Sequence, residues 1–368
     1  MLSYTSAVTI ALDATPLTVS TGGIGRYTLE LARALATEYP EDQYWLLSDQ
    51  PFRTPPALSN RHANLHMGGR PRNPAERRWW LWGLDQEMRR RGVDLFHGTD
   101  YSVPYVAHRP SVMTLHDLSP WLDPAWQPAA SRVQRRTPRL LRMGLATMVI
   151  TPSEAVRRAA IERFGLAPDR VVAVPLAAAD FFRPALVTTE PRGNPYFLFV
   201  GTCEPRKNIA RLMDAWRAVR RTIAIDLVLV GRNHAHAEEP GLRVLGEVPD
   251  ADLPGLYSGA LACLYPSIYE GFGLPVLEAM QCGALVIASR DPAILEVSGD
   301  AVIHAVIHVD AQDTAELAEA MRAVAAFPEK FAHIKREALA RAAQFSWQKT
   351  ARLTREVYDR ATRAFSHS

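Results

Sequence analysis

The stretch YPSIYEGFGLPVLEAMQCG, residues 265–283, leaves a short apolar run and enters a helical pattern through a glycine-bearing loop. Gly271 and Gly273 let the backbone approach a ligand closely, and Pro275 suits a first helical position. A helix start of this kind offers free N–H groups and the positive end of the helix dipole, which favour an anion. Glu270 stands just before the loop and Glu278 one turn into the helix. Carboxylates repel phosphate but accept hydrogen bonds from hydroxyls, so a sugar linked to a phosphate would satisfy both features. A glycine-rich turn with two solvated glutamates would carry the same spacing.

Upstream, VGTCEPRKN (200–208) also leaves a strand and enters a helix. Glu204, Arg206 and Lys207 put two cations where a diphosphate could lie, one a planar fork and one a mobile point charge. A charged helix cap with Asn208 at the helix start is the plain alternative.

Outward from these two turns, apolar runs alternate with helical patterns, the mark of parallel α/β units. The first half predicts strands at 8–12, 44–47, 93–97, 111–115, 147–151 and 171–174, with helices at 25–36, 76–90 and 153–164. Residues 183–195, RPALVTTEPRGNP, break the pattern with three prolines and a glycine and read as a linker. The alternation restarts with strands at 196–200, 226–230, 242–245, 261–265, 284–288 and 301–309. Helices are expected at 207–220, 275–281, 314–326, 329–344 and 347–361. Two doubly wound domains follow, with ligands expected at the carboxyl ends of their strands.

The chain has 368 residues, 48% hydrophobic and 22% charged, enough for two cores of similar size. A net charge of +3 is too small for a dedicated nucleic-acid binder. No apolar run is long enough to span a bilayer. The first residues lack the pattern of a secretory signal, and Cys203, Cys263 and Cys282 lie far apart without metal-ligand spacing. A cytoplasmic protein is expected. The charge is uneven: residues 1–185 carry 22 Arg, no Lys and 17 acids, and the remainder 20 basic and 22 acidic residues. Arg77 and Arg78 beside Trp79, Trp80 and Trp82, with Arg132, Arg135, Arg136, Arg139 and Arg142 on a potential helix containing Pro138, suggest contact with an anionic membrane. A solvated helix face and buried tryptophans would read the same way.

The paired turns resemble those of retaining glycosyltransferases of family 4. Further matching segments are TGGIGRYTLELARAL (21–35), DLFHGTDYSVP (94–104), TLHDLSP (114–120), VITPSEAV (149–156), VLVG (228–231), LGEVPDADLPGLYSGA (245–260) and FSW (345–347). The resemblance implies the GT-B architecture, α/β with two Rossmann-like domains facing a central cleft. Residues 1–185 would bind the acceptor and 186–345 the nucleotide-sugar donor, while a C-terminal helix in 346–368 would return to the first domain.

The resemblance also implies roles. Glu278 would hold the ribose hydroxyls and Glu270 those of the transferred sugar. Backbone at Gly271, Phe272, Gly273 and Leu274 would contact sugar and diphosphate. Arg206 and Lys207 would neutralise the diphosphate as its charge grows. Backbone near Glu247 and Val248 would line the base, and Gly22 and Gly23 would meet the diphosphate. His116, of the HD pair, would face the donor sugar. His97, Asp100 and Tyr101 would line the acceptor side.

No carboxylate stands out as a nucleophile for double displacement, so front-face transfer is expected, a phosphate oxygen taking the acceptor proton. No cofactor or metal is expected: Asp250-Ala251-Asp252 reads as helix-start carboxylates. The GGIGRY and HDL segments most resemble bacterial mannosyltransferases of O-antigen, lipopolysaccharide and exopolysaccharide assembly. GDP-mannose is therefore the expected donor, and a glycan or polyprenyl-diphosphate-linked glycan the acceptor, met at the inner face of the cytoplasmic membrane. An epimerase or hydrolase of the same fold, or a non-catalytic nucleotide-sugar-binding protein, remains as the alternative. A dinucleotide-binding loop is disfavoured, because Gly23-x-Gly25-x-x-Thr28 lacks its third glycine. Ala178 and Ala311 stand where relatives commonly carry glycine and proline.

Overall fold

The computed structural model describes residues 7–18, 22–52, 62–127, 130–185, 194–234, 239–299 and 305–366. Their contacts divide them into two units: those within Met1–Leu122, Gln127–Leu176 and Trp347–Ser368, and those within Asp123–Trp126 and Ala177–Ser346. The division in the main chain falls after Leu176, nine residues before the expected boundary at 185. Thr21 of the first glycine loop and residues 186–193 of the expected linker lie outside the described residues.

The first unit holds seven strands: β1 (Thr9–Asp13), β2 (Gln43–Leu47), β3 (Leu65–Gly68), β4 (Leu95–Gly98), β5 (Ser111–Thr114), β6 (Met148–Thr151) and β7 (Val171–Ala173). They form one parallel sheet in the order β3-β2-β1-β4-β5-β6-β7. Its helices are α1 (Gly23–Glu38), α2 (Leu84–Arg90), α3 (Ser119–Leu122), α4 (Ser131–Arg142) and α5 (Glu154–Phe164). Helix α5 shows why such segments start and stop: Ser153 Oγ accepts from Val156 N at 3.2 Å, and Gly165 ends it in the left-handed conformation.

The second unit holds β8 (Tyr196–Val200), β9 (Asp226–Val230), β10 (Leu242–Gly246), β11 (Ala262–Tyr265), β12 (Val286–Ser289) and β13 (Ile307–Val309). These are parallel in the order β10-β9-β8-β11-β12-β13. Helices α6 (Ile209–Arg220), α7 (Leu253–Gly259), α8 (Leu274–Gln281), α9 (Pro292–Ser298), α10 (Thr314–Ala326) and α11 (Ala332–Ala342) accompany them. Strand β9 is buried throughout, as its unbroken apolar run requires, whereas edge strand β10 exposes Arg243, Val244 and Leu245. Phe197, Leu198 and Phe199 of β8 are inaccessible to solvent, each stabilising the unit by about 1.5–3 kcal/mol.

The last helix, α12 (Trp347–Ser366), packs in the first unit against α1, β5 and β6. Arg355 Nε donates to Asp42 at 2.7 Å, with both side chains buried, and Thr350 donates to the Pro175 carbonyl at 2.7 Å.

Several expectations are corrected. Strand β3 lacks β-branched residues and gave no strand signal. The helix expected at 76–90 begins as a wide turn, Trp79–Gly83, in which the amides of Leu81, Trp82 and Gly83 all meet the Arg78 carbonyl. A Cβ at Gly83 would stand 2.1 Å from the Glu76 carbonyl oxygen, so only glycine permits this crossing. Of the strand expected at 301–309, residues 301–304 lie outside the described residues and Ile307–Val309 is extended.

In each sheet the chain reverses its direction of winding between two adjacent strands, β1 and β4 in the first and β8 and β11 in the second. The carboxyl ends at such switch points are where doubly wound sheets bind ligands.

Candidate functional site

The second unit brings Glu204, Arg206, Lys207 and Glu270 together at the β8/β11 switch point. After β8, Pro205–Lys207 forms a single tight turn and Asn208 takes a left-handed conformation (φ 61°) before α6 begins. The Asn208 amide holds this geometry by donating to the carbonyls of Pro266 and Ala311 at 3.1 and 2.6 Å. Ala311 is thus tied through its carbonyl to the residue following Lys207.

This turn delivers both cations to Glu270. Lys207 Nζ donates to Glu270 Oε1 at 2.6 Å and to the Tyr265 hydroxyl at 2.9 Å. Arg206 Nη1 reaches Glu270 Oε2 at 3.3 Å and the Tyr269 carbonyl at 3.2 Å, while its Nε donates to Glu204 at 2.8 Å. Glu270 and Lys207 are buried. Burial opposes ionisation of Glu270, but the Lys207 and Arg206 charges outweigh it and hold the carboxyl below its usual range. Burial also pushes the Lys207 ammonium below the ordinary lysine value, with Glu270 opposing the shift. The result is a charged pair with a nearby guanidinium, in a dry setting that strengthens each interaction.

From β11 the chain passes Glu270 and turns at Gly273 (φ 89°), where α8 starts with Leu274 and Pro275. Gly271, Phe272 and Gly273 are buried. Glu278 is 3% exposed and accepts from the Tyr257 hydroxyl at 3.0 Å through Oε2. Glu247 is exposed and lies 3.6 Å from Arg232, just beyond β10, with Val248 half-buried beside it. Asp250–Asp252 forms an exposed tight turn leading into α7.

Asp291 is a site residue that the sequence reading missed. Its Oδ2 accepts from the Glu270 amide at 3.2 Å, and its Oδ1 caps α9 through the amides of Ala293 and Ile294. Burial, reinforced by the Glu270 charge, raises its carboxyl to about 6. The Asp-Pro pair at 291–292 is a helix-start signal that could have located the cap, though not its link to Glu270.

The first unit presents a second cluster at the β1/β4 switch point. Gly22 and Gly23 are exposed at the start of α1. His116, after β5, donates through Nε2 to the Thr99 carbonyl at 2.7 Å and packs edge-on against Tyr27 and Tyr101. A carbonyl only accepts, so the proton is on Nε2, and Nδ1 carries no partner among the described residues. Burial keeps the imidazole below its usual pKa, with Asp100 opposing. The hydrogen bond His116 can offer a ligand is therefore an acceptance at Nδ1. Asp100 is half-buried, and burial raises its carboxyl against the opposing charges of His116 and Arg136.

His97 is inaccessible to solvent and uses both nitrogens, Nδ1 with the Tyr358 hydroxyl at 2.7 Å and Nε2 with Thr114 Oγ1 at 2.8 Å. It links β4 to α12 rather than lining an acceptor surface. Tyr101, also buried, adopts φ 52° and donates to Asp117 Oδ1 at 3.1 Å, while the Asp117 amide donates back to its hydroxyl. Among the five arginines of α4, Arg136 turns inward over Trp80 at 5.3 Å, and the other four are exposed. Helix α4 runs through Pro138, which cannot donate to the Gln134 carbonyl; Trp121 Nε1 does so instead at 3.1 Å.

Comparison with known proteins agrees with this architecture. Residues 187–343 match the family described as Glycosyl transferases group 1, and residues 21–180 match Glycosyltransferase Family 4. The O-antigen chain mannosyltransferase B of Escherichia coli is 31% identical over 333 residues, 78% of this chain and 83% of that protein. Sucrose-phosphate synthase of Thermosynechococcus elongatus superposes with a TM-score of 0.73 at 21% identity, over 98% of this chain and 100% of that one. Anabaena HepE, solved in complex with UDP-glucose, gives a TM-score of 0.71 at 19% identity, over 95% of this chain and 99% of that one. With both halves of the chain matched and a relative aligned over most of its length, this protein belongs to the family 4 glycosyltransferases and has their GT-B fold.

Proposed function

We propose that this glycosyltransferase moves mannose from GDP-mannose to a glycan or polyprenyl-diphosphate-linked glycan, with retention of configuration and without a divalent cation. The observation that carries the reading is the convergence of Arg206 and Lys207 on Glu270 at the switch point of the second sheet. The mannosyl donor is supported by the similarity to an O-antigen mannosyltransferase.

In this reading the diphosphate takes over part of the hydrogen bonding that Arg206 and Lys207 now give Glu270. Glu270 then accepts from hydroxyls of the transferred sugar, and Glu278 from the ribose. Backbone amides of Gly271–Leu274 and of Gly22–Gly23 contact sugar and diphosphate, and Glu247–Val248 border the base. As the bond between the anomeric carbon and the diphosphate oxygen breaks, negative charge grows on the phosphate. The two cations stabilise that charge more than the ground state, which lowers the barrier. The acceptor oxygen bonds the anomeric carbon on the same face, and its proton passes to a phosphate oxygen. His116 accepts a sugar hydroxyl through Nδ1. A panel of nucleotide-sugars, scored for rise in Tm and for transfer with and without chelator, tests the reading. Preference for a donor other than GDP-mannose, or activity that returns only with manganese, would refute the corresponding part.

The reading extends to a membrane surface. Arg132, Arg135, Arg139 and Arg142 recur on one exposed face of α4, and Leu81 and Trp82 are 36% and 50% exposed on the turn whose Trp80 meets Arg136. Cations beside exposed aromatic and aliphatic groups suit an anionic lipid interface, where a lipid-linked acceptor would be met.

A further inference from the structure

A cavity of about 460 Å³ opens at the carboxyl ends of β2 and β3, lined among others by Phe52, Met67, Arg70, Arg72, Glu87 and Arg91. It lies in the first unit, at the same end of the sheet as the carboxyl end of β1. Asp13 at the end of β1 is in register with Leu47 of β2, and Ser48, the next residue, is in the cavity wall. The loop after β3 closes the floor at Gly69 (φ 114°), where a Cβ would stand 2.7 Å from the Ser48 amide nitrogen and carbonyl oxygen.

The lining is built to receive an anion. Arg91 lies over the Trp45 ring at 4.0 Å and donates through Nε to Glu87 at 3.0 Å. That clamp fixes the guanidinium plane and leaves its two terminal nitrogens without a partner among the described residues. Glu87 is buried and already shared with Arg90 at 2.8 Å, so its charge is spent within the wall. The exposed side chains of Arg70 and Arg72 also carry no partner among the described residues. The cavity is thus lined by three arginines and one carboxylate already paired with Arg90 and Arg91, together with the half-buried Phe52 ring and Met67, which is 38% exposed. The clamped Arg91 fork matches the paired oxygens of a phosphate, the exposed Arg70 and Arg72 add positive charge at the mouth, and the adjoining apolar surface suits a hydrocarbon attached to it.

We infer that this cavity is an acceptor subsite that binds the phosphate or diphosphate group of a lipid-linked acceptor. The inference rests on the proposed transfer to a lipid-linked glycan and names the part of that acceptor the first unit recognises.

The test is calorimetric titration with farnesyl diphosphate and with inorganic pyrophosphate, using the full chain, the double variant R70A/R72A and R206A. Farnesyl diphosphate should bind the wild-type chain and R206A alike and bind R70A/R72A at least about tenfold more weakly, the loss expected for one charge-assisted contact. GDP affinity should be unchanged in R70A/R72A. R91K, which keeps the charge but not the fork, should also weaken binding while Tm stays near that of the wild type. Pyrophosphate binding as tightly as farnesyl diphosphate would reduce the site to one for free anions and overturn the lipid assignment. Binding lost in R206A and retained in R70A/R72A would transfer it to the donor site and overturn the inference. Absence of transfer from any nucleotide-sugar would instead sink the proposed function, leaving the titration result to stand by itself.

Discussion

Lys207 and Glu270, 63 residues apart in sequence, meet at 2.6 Å in a buried pair that Arg206 joins from the same turn. The cations proposed to receive the donor diphosphate are thus held by the carboxylate proposed to receive its sugar. Donor binding must redistribute these hydrogen bonds, which ties sugar recognition to neutralisation of the leaving group.

Glu270→Gln keeps the side-chain shape but removes the charge. We expect kcat to fall by about a hundredfold, the scale of losing one strong transition-state contact, with GDP binding no weaker. Weakened GDP binding with kcat intact would remove Glu270 from sugar recognition.

The same pair sets an alkaline limit. Burial pushes the Lys207 ammonium down, and Glu270 opposes that shift. Activity that needs the charged form falls as pH rises through a value below the ordinary 10.5 of lysine. Glu270→Gln, by removing the opposing charge, should move this limb further toward neutral pH. A kcat–pH profile measures both positions, and an unmoved limb would assign it to another group.

Arg206→Ala and Lys207→Ala should depress kcat more than they raise donor KM, because diphosphate charge peaks in the transition state. They should differ in stability. Lys207 is the more deeply buried partner, and its loss leaves Glu270 with Arg206 alone; we expect a cost of about 3 kcal/mol by denaturant titration. Arg206→Ala should cost less, since Lys207 keeps the shorter contact.

Glu278→Ala should raise donor KM strongly. Tyr257→Phe, which removes the hydroxyl donating to Glu278 Oε2, should raise it more modestly and leave kcat near the wild-type value. Donor KM unchanged in Glu278→Ala would exclude the ribose contact.

His97 supplies a pH signature of a different kind. Burial lowers its pKa from 6.5 to about 3. Between those values the unfolded chain binds a proton that the native chain does not. Stability therefore falls as pH drops through this window, by up to about 1.4 kcal/mol per unit. His97→Asn should flatten that slope and lower stability at neutral pH while leaving acceptor KM unaltered. A raised acceptor KM at unchanged stability would restore His97 to the acceptor surface.

The exposed arginines of α4 predict binding to anionic vesicles at low salt, lost in the quadruple alanine variant of Arg132, Arg135, Arg139 and Arg142. Equal binding to neutral vesicles, or none to anionic ones, would argue for a solvated face.

The α/β alternation, the strand–loop–helix turns carrying Arg206–Lys207 and Glu270–Glu278, and the family membership were all legible in the sequence, because each depends on neighbours within a turn or two. Hydrophobic period and capping chemistry are local forces, and they place β8, β9, α6, α8 and α10 almost to the residue. Strand β3 escaped because LHMG is only four residues long, has no β-branched residue and pairs only with β2.

What the sequence by itself determined, then, is on which kind of element Arg206, Lys207, Glu270 and Glu278 stand, and that each pair lies at a strand–loop–helix turn. Only the tertiary structure decided their partners: Lys207 with Glu270 and Tyr265, Asp291 with the Glu270 amide, Tyr257 with Glu278, and Tyr358 with His97. The same holds for the tautomer of His116 and for the inward turn of Arg136. These contacts join segments from 21 to 261 residues apart. Their existence depends on strand order and on which face a helix buries, which are set by the packing of whole sheets and not by local spacing.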